Sequence, residues 1–162
     1  MRRRWTATFI YLLVLHVVMV GLHFYGTESV AQTGDQATRE VEISSVAFLG
    51  RLENPPRELY RITLGAENPS FCTVELSLTD MQIWCDEFYL GPIDDQEKVL
   101  YPGERIQFEG DFTLSGDALS KLRSRGEVTL QVKGVALAST TFLWVEGRNG
   151  RDLDESVKIN LS

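Results

Sequence analysis

The chain has 162 residues, 43% of them hydrophobic and 24% charged, a balance that suits one folded domain with a short appendage and excludes disorder over most of its length. The formal net charge is -7, and Arg2, Arg3 and Arg4 stand apart at one end, so the remainder is more acidic still. That acidity excludes a nucleic-acid partner, because phosphate binding needs a basic surface.

The first 32 residues read MRRRWTATFIYLLVLHVVMVGLHFYGTESVAQ. Between the three arginines and Glu28 no residue carries a full charge. As a helix, Trp5 to Tyr25 would reach about 31 Å, close to the hydrocarbon thickness of a bilayer. Trp5 at one end and Phe24 and Tyr25 at the other have the character of interfacial anchors. The arginines belong on the cytoplasmic side, which places the rest of the chain outside. A cleaved signal peptide is the rival reading, since Ser29-Val30-Ala31 forms a small-x-small site. Residues 1–30 are therefore expected to be a transmembrane anchor or a signal sequence. Residues 31–39, AQTGDQATR, are small and polar and read as a tether. Residues 40–162 are left for an extracytoplasmic domain.

His16 and His23 are the only histidines. The outer domain therefore lacks the imidazoles for a histidine-ligated metal site or a Ser-His-Asp triad.

After residue 40 the apolar period is close to two. The clearest run is Arg105–Leu114, where Ile106, Phe108, Phe112 and Leu114 share one face with Gly110, which marks a bulge or a close contact. Similar runs cover 41–48, 59–66, 71–78, 81–90, 128–132 and 136–146, with a last short one at 157–161. Pro102-Gly103 predicts a type II turn, the proline fixing φ and the glycine accepting φ > 0. Residues 117–124 are the one helical stretch in this part, with Asp117 as its expected cap and Gly126 beyond its end. These elements predict an all-β, immunoglobulin-like or fibronectin-like sandwich of about seven strands with one short helical connection, preceded by a single transmembrane helix.

Asn68-Pro69 lies between two strand runs. The asparagine can bond nearby backbone, and the proline forces an extended residue before it and removes a ladder donor. The pair reads as a sharp corner. Neither a base nor a nucleophile stands beside it in sequence, and no catalytic residue is expected there. Cys72 and Cys85 both fall on apolar faces. If a hairpin turned near Leu78-Thr79 they would come opposite each other and could form a disulfide; otherwise they are two buried thiols. Asp86, Glu87, Asp94, Asp95 and Glu97 form an acidic segment without EF-hand spacing, so no metal site is expected. No cofactor is expected either. Trp84, Phe88, Tyr89, Phe142 and Trp144 are left as core filling or a contact patch.

Taken in order, LGAENPSFCTVELSLTDMQIWCDEFYLG, LYPGERIQFEGDFTL and ALSKLRSRGEVTLQVKG resemble the type-2 late-embryogenesis-abundant family, the water-stress and hypersensitive-response β-sandwich, in a membrane-anchored prokaryotic form. The resemblance covers roughly residues 40–146. Asn68 and Pro69 fall on the family's Asn-Pro, Pro102-Gly103 on its turn and Gly134 on its late glycine. Ser70 stands where the family often has a second asparagine, and the helical stretch is short. The resemblance implies a non-enzymatic module with a protective role in desiccation or osmotic stress. It brings no catalytic residues. The partners expected are the bilayer, through the N-terminal helix, and membrane or surface proteins. A docking subunit of a membrane complex is the alternative, and an extracytoplasmic enzyme the remote one.

Overall fold

The structure, a computed structural model, describes residues 2–161. In chain order it contains α1 (Arg2–Arg39), β1 (Glu42–Glu53), β2 (Pro56–Glu67), β3 (Val74–Cys85), β4 (Phe88–Pro92), β5 (Gln96–Leu100), β6 (Arg105–Ser115), α2 (Gly116–Arg125), β7 (Glu127–Phe142) and β8 (Val145–Asn160). The side chains of Arg2–Arg4 and Trp5, the expected basic flank and anchor, lie outside the described residues.

The alternating sequences build two antiparallel sheets. One has the order β1-β2-β6. The other has the order β4-β3-β7-β8, with β5 also on β3. β4 pairs with the Gln82–Cys85 end of β3 and β5 with its Val74–Leu78 end, so two short strands share one edge position. The inner faces meet as a sandwich core. Ile62, Leu64, Phe108 and Leu114 come from one sheet, and Leu76, Ile83, Leu130 and Val132 from the other. The predicted β-sandwich is thus the observed fold, with eight strands.

β3 departs from the expected pattern of two separate runs. Its inward residues are Val74, Leu76 and Leu78, then Met81, Ile83 and Cys85. The parity changes at Asp80, which takes a left-handed φ of 54°. A bulge there adds one residue, so a single strand keeps its apolar side inward despite the change of phase. Gly134 on β7 makes the bulge possible. A Cβ at that position would collide with Met81 Sδ and come within 3.0 Å of the Thr79 carbonyl oxygen.

The expected tether at 31–39 is corrected by the structure: these residues complete α1. The helix runs without a break for 38 residues, about 57 Å. Gly26, Ser29, Val30, Thr33, Gly34, Ala37 and Thr38 are buried. They recur at helical spacing and form a narrow stripe of small residues. That stripe lies on β8 and β7. Gly26 faces Val145, Val30 faces Gly147, and Gly34 faces Asn149. Asn149 Nδ2 donates to the Ala31 carbonyl (3.1 Å) and Arg151 Nη1 to that of Arg39 (3.4 Å). The second half of α1 covers the part of the five-stranded sheet that the three-stranded sheet does not reach.

β8 is longer than the short closing strand expected. Its polar first half hides it, because there one face is in water and the other lies under α1, whereas Leu153, Val157 and Ile159 pack on the sandwich core.

Candidate functional site

The Asn68-Pro69 corner is a hydrogen-bonded hub. Asn68 is fully buried. Its Nδ2 donates to the carbonyls of Cys72 (2.7 Å) and Leu100 (3.1 Å). Its Oδ1 accepts from the Ser70 amide (3.1 Å) and hydroxyl (2.7 Å). Its backbone amide donates to Glu104 O (3.0 Å), and its carbonyl accepts from the Gly103 amide (2.8 Å). Both donors and both acceptor positions of the side chain are in use. The amide is committed to holding structure and has no free group with which to meet a substrate.

The same bonds join the corner to the turn Tyr101-Pro102-Gly103-Glu104. Gly103 sits at φ 72° and the Glu104 amide closes the turn on Tyr101 O (3.0 Å), as a type II turn requires. Glu104 also accepts from the Tyr101 amide through its carboxylate (2.8 Å). Asn68 therefore ties the end of β2, the start of β3 and the β5–β6 connection at one end of the sandwich. The Ser70 hydroxyl, whose one hydrogen goes to Asn68 Oδ1, accepts from Cys72 N (3.2 Å).

The structure does not bring Cys72 and Cys85 together. The hairpin that would pair them is absent, because β3 continues through the Asp80 bulge. The cysteines flank opposite ends of this strand, roughly 35 Å apart along it. Both are free and buried. Burial, reinforced by Asp86, pushes the Cys85 thiol up to about 11.

The acidic residues are divided among separate tasks. Arg125 donates to Asp86 (2.8 Å) and to both carboxylate oxygens of Glu87 (2.8 and 2.7 Å). This fork holds Glu87 down to about 2. Asp86 Oδ1 also accepts from the Thr129 amide (2.9 Å), and Asp95 Oδ1 from the Asp80 amide at the bulge (3.1 Å). Glu97 lies beside Glu75 on the exposed face of the five-stranded sheet, and their hydrogen bond raises the Glu75 carboxyl above its usual range. Among the described residues, no three His, Cys, Asp or Glu side chains converge as a metal-binding group.

One polar cluster gave no sequence signal. Glu58 is buried between Arg51 (2.8 Å) and Arg123, and it accepts from the Tyr60 hydroxyl (3.0 Å). It locks β1, β2 and α2 together. Glu58 and Arg123 are 65 residues apart, and only the fold pairs them.

The end of the sandwich carrying Asn68 also carries apolar side chains. Phe71 is 60% exposed and packs edge-on to Phe142, with centroids 5.3 Å apart. Phe142 meets Tyr25 of α1 at 6.0 Å. Leu143 and Trp144, at the tip of the β7–β8 hairpin, are about half exposed. Trp84 and Tyr89 lie near the far end, where their rings pack at 5.1 Å. Phe88 is packed against the core.

No protein-family model matches this chain, and no curated protein matches it. Among solved structures it is similar to the solution structure of an Arabidopsis thaliana protein. The identity is 11% and the TM-score 0.50, over 76% of this chain and 82% of that one. It is also similar to the crystal structure of a protein from Archaeoglobus fulgidus, at 7% identity and a TM-score of 0.37, over 75% of this chain and 100% of that one. At these identities the first likeness speaks to the fold alone. The chain is a membrane-tethered β-sandwich module; among the described residues one helix is long and apolar enough to cross a bilayer.

Proposed function

We propose that this chain is a non-enzymatic module of the type-2 late-embryogenesis-abundant kind, in a membrane-anchored prokaryotic form, that protects the bilayer and its proteins during desiccation or osmotic stress. The observation that carries this reading is α1, which passes from an apolar span into the sandwich without a hinge. A domain continuous with its anchor stays at a fixed, short distance from the membrane, where its surface acts on neighbours without having to find them. The complete use of the Asn68 amide in structural bonds supports a non-catalytic role for the corner. Arg2–Arg4 put the N-terminus in the cytoplasm and the sandwich outside.

The test has two arms. The chain is reconstituted in vesicles that are dried and rehydrated, with an unrelated single-span protein at equal density as control. Higher retention of an entrapped dye than in the control is expected, and equal leakage overturns the protective role. Protease added to intact spheroplasts should digest the sandwich; a domain protected until lysis overturns the orientation.

A second reading, a docking subunit, draws on β1. This edge strand pairs only with β2 and exposes Phe48, Leu49 and Leu52. Such an edge offers unpaired backbone and apolar area to another chain. A fixed stoichiometric cross-link through β1 in native membranes would favour it over an isolated module.

A further inference from the structure

We infer that the β7–β8 hairpin tip and the Phe71 corner enter the interfacial layer of the same bilayer that α1 spans, as a second membrane contact. The inference rests on the membrane-tethered reading.

Three features of the tip lead there. First, Leu143 and Trp144 form a two-residue hairpin loop, bounded by the Phe142↔Val145 pair. Loops of this length favour Asn-Gly or a leading glycine, because one or both central residues need φ > 0. Leu143 holds φ 57° instead, in the left-handed region that disfavours a branched apolar side chain. Second, the tip gains little burial within the fold, since Leu143 is 53% and Trp144 50% exposed. An unfavourable turn that displays a leucine and a tryptophan to water is poor design for a soluble loop. Third, the two segments that form the patch are uncharged: residues 68–74 and 135–145 contain no Asp, Glu, Lys or Arg, and the charges at this end, Glu104 and the Glu67–Arg105 pair, lie outside them.

The position of α1 identifies the occupant. The uncharged span ends near Tyr25, whose ring touches Phe142. A bilayer placed around Trp5–Tyr25 therefore has its outer boundary level with Phe142. Phe71, Leu143 and Trp144 are then at the depth where aromatic side chains partition into the headgroup boundary. No cation belongs to the patch, so this contact depends on apolar area and indole partitioning, not on anionic lipid.

The experiment uses the unmodified full chain in phosphatidylcholine vesicles that contain a lipid-borne photoactivatable diazirine. Peptides are mapped by mass spectrometry after irradiation. Label is expected in α1, in the 140–147 peptide and in the 68–73 peptide, but not around Trp84 at the far end. Equal labelling is expected when a third of the lipid is made anionic. Label in α1 with none in the tip overturns this inference and leaves the anchor intact; no label in α1 overturns the anchor itself. Cross-linking of unlabelled tips to one another would assign the patch to a second copy and also overturn the inference. Leu143→Asn supplies the second arm: tip labelling should fall at least threefold while the thermal midpoint stays the same or rises. Unchanged labelling in a folded Leu143→Asn protein counts against a specific contact.

Discussion

Asn68 shows how a single side chain can hold three connections. Replacing it with alanine strands the carbonyls of Cys72 and Leu100 and deprives Ser70 of its acceptor, all at a buried site. Each unpaired group costs about 1–3 kcal/mol, so Asn68→Ala should destabilise the sandwich by about 3 kcal/mol in urea unfolding. Asn68→Asp should cost at least as much, since a carboxylate cannot donate to two carbonyls. Ser70→Ala should cost about 1 kcal/mol, because the Ser70 amide still reaches Asn68 Oδ1. A loss below about 1 kcal/mol for Asn68→Ala would mean that the hub is dispensable. The cysteines give a second test at this scale. The folded chain should not react with a thiol reagent at pH 8: both sulfurs are buried, and the raised Cys85 thiol remains protonated. Denaturation without reductant should release two thiol equivalents. A bonded pair would release none.

At the scale of elements, strands with one wet face were legible in outline, though β7 was read as two runs, 128–132 and 136–146, where the structure has one strand to Phe142 and a hairpin into β8; the elements whose partner is neither water nor the opposite sheet were not. β6 could be read residue by residue because Ile106 to Leu114 alternate against solvent. β3 read as two strands because the Asp80 bulge changes the phase of its apolar residues, and a phase change in sequence looks like a chain reversal. That misreading also kept a Cys72–Cys85 disulfide open beside the two buried thiols that the structure shows. The first half of β8 was hidden because its inner face meets a helix through Gly147 and Asn149 in place of large apolar residues. The tether was misread for the complementary reason. The helix that meets such a strand carries glycine, serine, threonine and alanine, a composition that resembles a linker. The signal that could have revealed it was periodicity, with Gly26, Val30, Thr33, Gly34, Ala37 and Thr38 on one stripe. Gly34→Leu tests the seam. A side chain there collides with Asn149, whereas Gly21 has nothing within 4 Å of a built Cβ. Gly34→Leu should cost about 2 kcal/mol and open residues 26–40 to protease. Gly21→Leu should do neither. Equal behaviour of the two variants would mean that the helix does not pack on β8.

The whole molecule has two differently constructed ends. At the end near the membrane, the Asn68 amide network joins the β2–β3 corner to the 101–104 turn with neutral groups. At the far end, Arg125 forks onto Asp86 and Glu87, and Asp86 exchanges bonds with Thr129 through its amide (2.8 Å) and its carboxylate (2.9 Å). The two clamps should respond differently to acid. Glu87 has its pKa lowered from the ordinary 4.5 to about 2, chiefly by the hydrogen bonds from Arg125. A carboxylate depressed in the folded state contributes stability that is present above its unfolded value and is lost as pH falls through the folded one. The window for this clamp is therefore about pH 4.5 down to 2. Glu87 is exposed, so its contribution is small and screened by salt. In hydrogen exchange corrected for intrinsic rates, the amides of Asp86 and Thr129 should lose protection across that window before those of Asn68 and Gly103. Raising salt at pH 6 should reproduce part of the effect at the far end alone. Glu87→Gln should remove most of the acid dependence there, because the neutral amide has no proton to gain. If both ends lose protection together in the wild-type chain, the clamps are one cooperative unit, and the division into an amide clamp near the membrane and an ion-paired clamp at the far end fails.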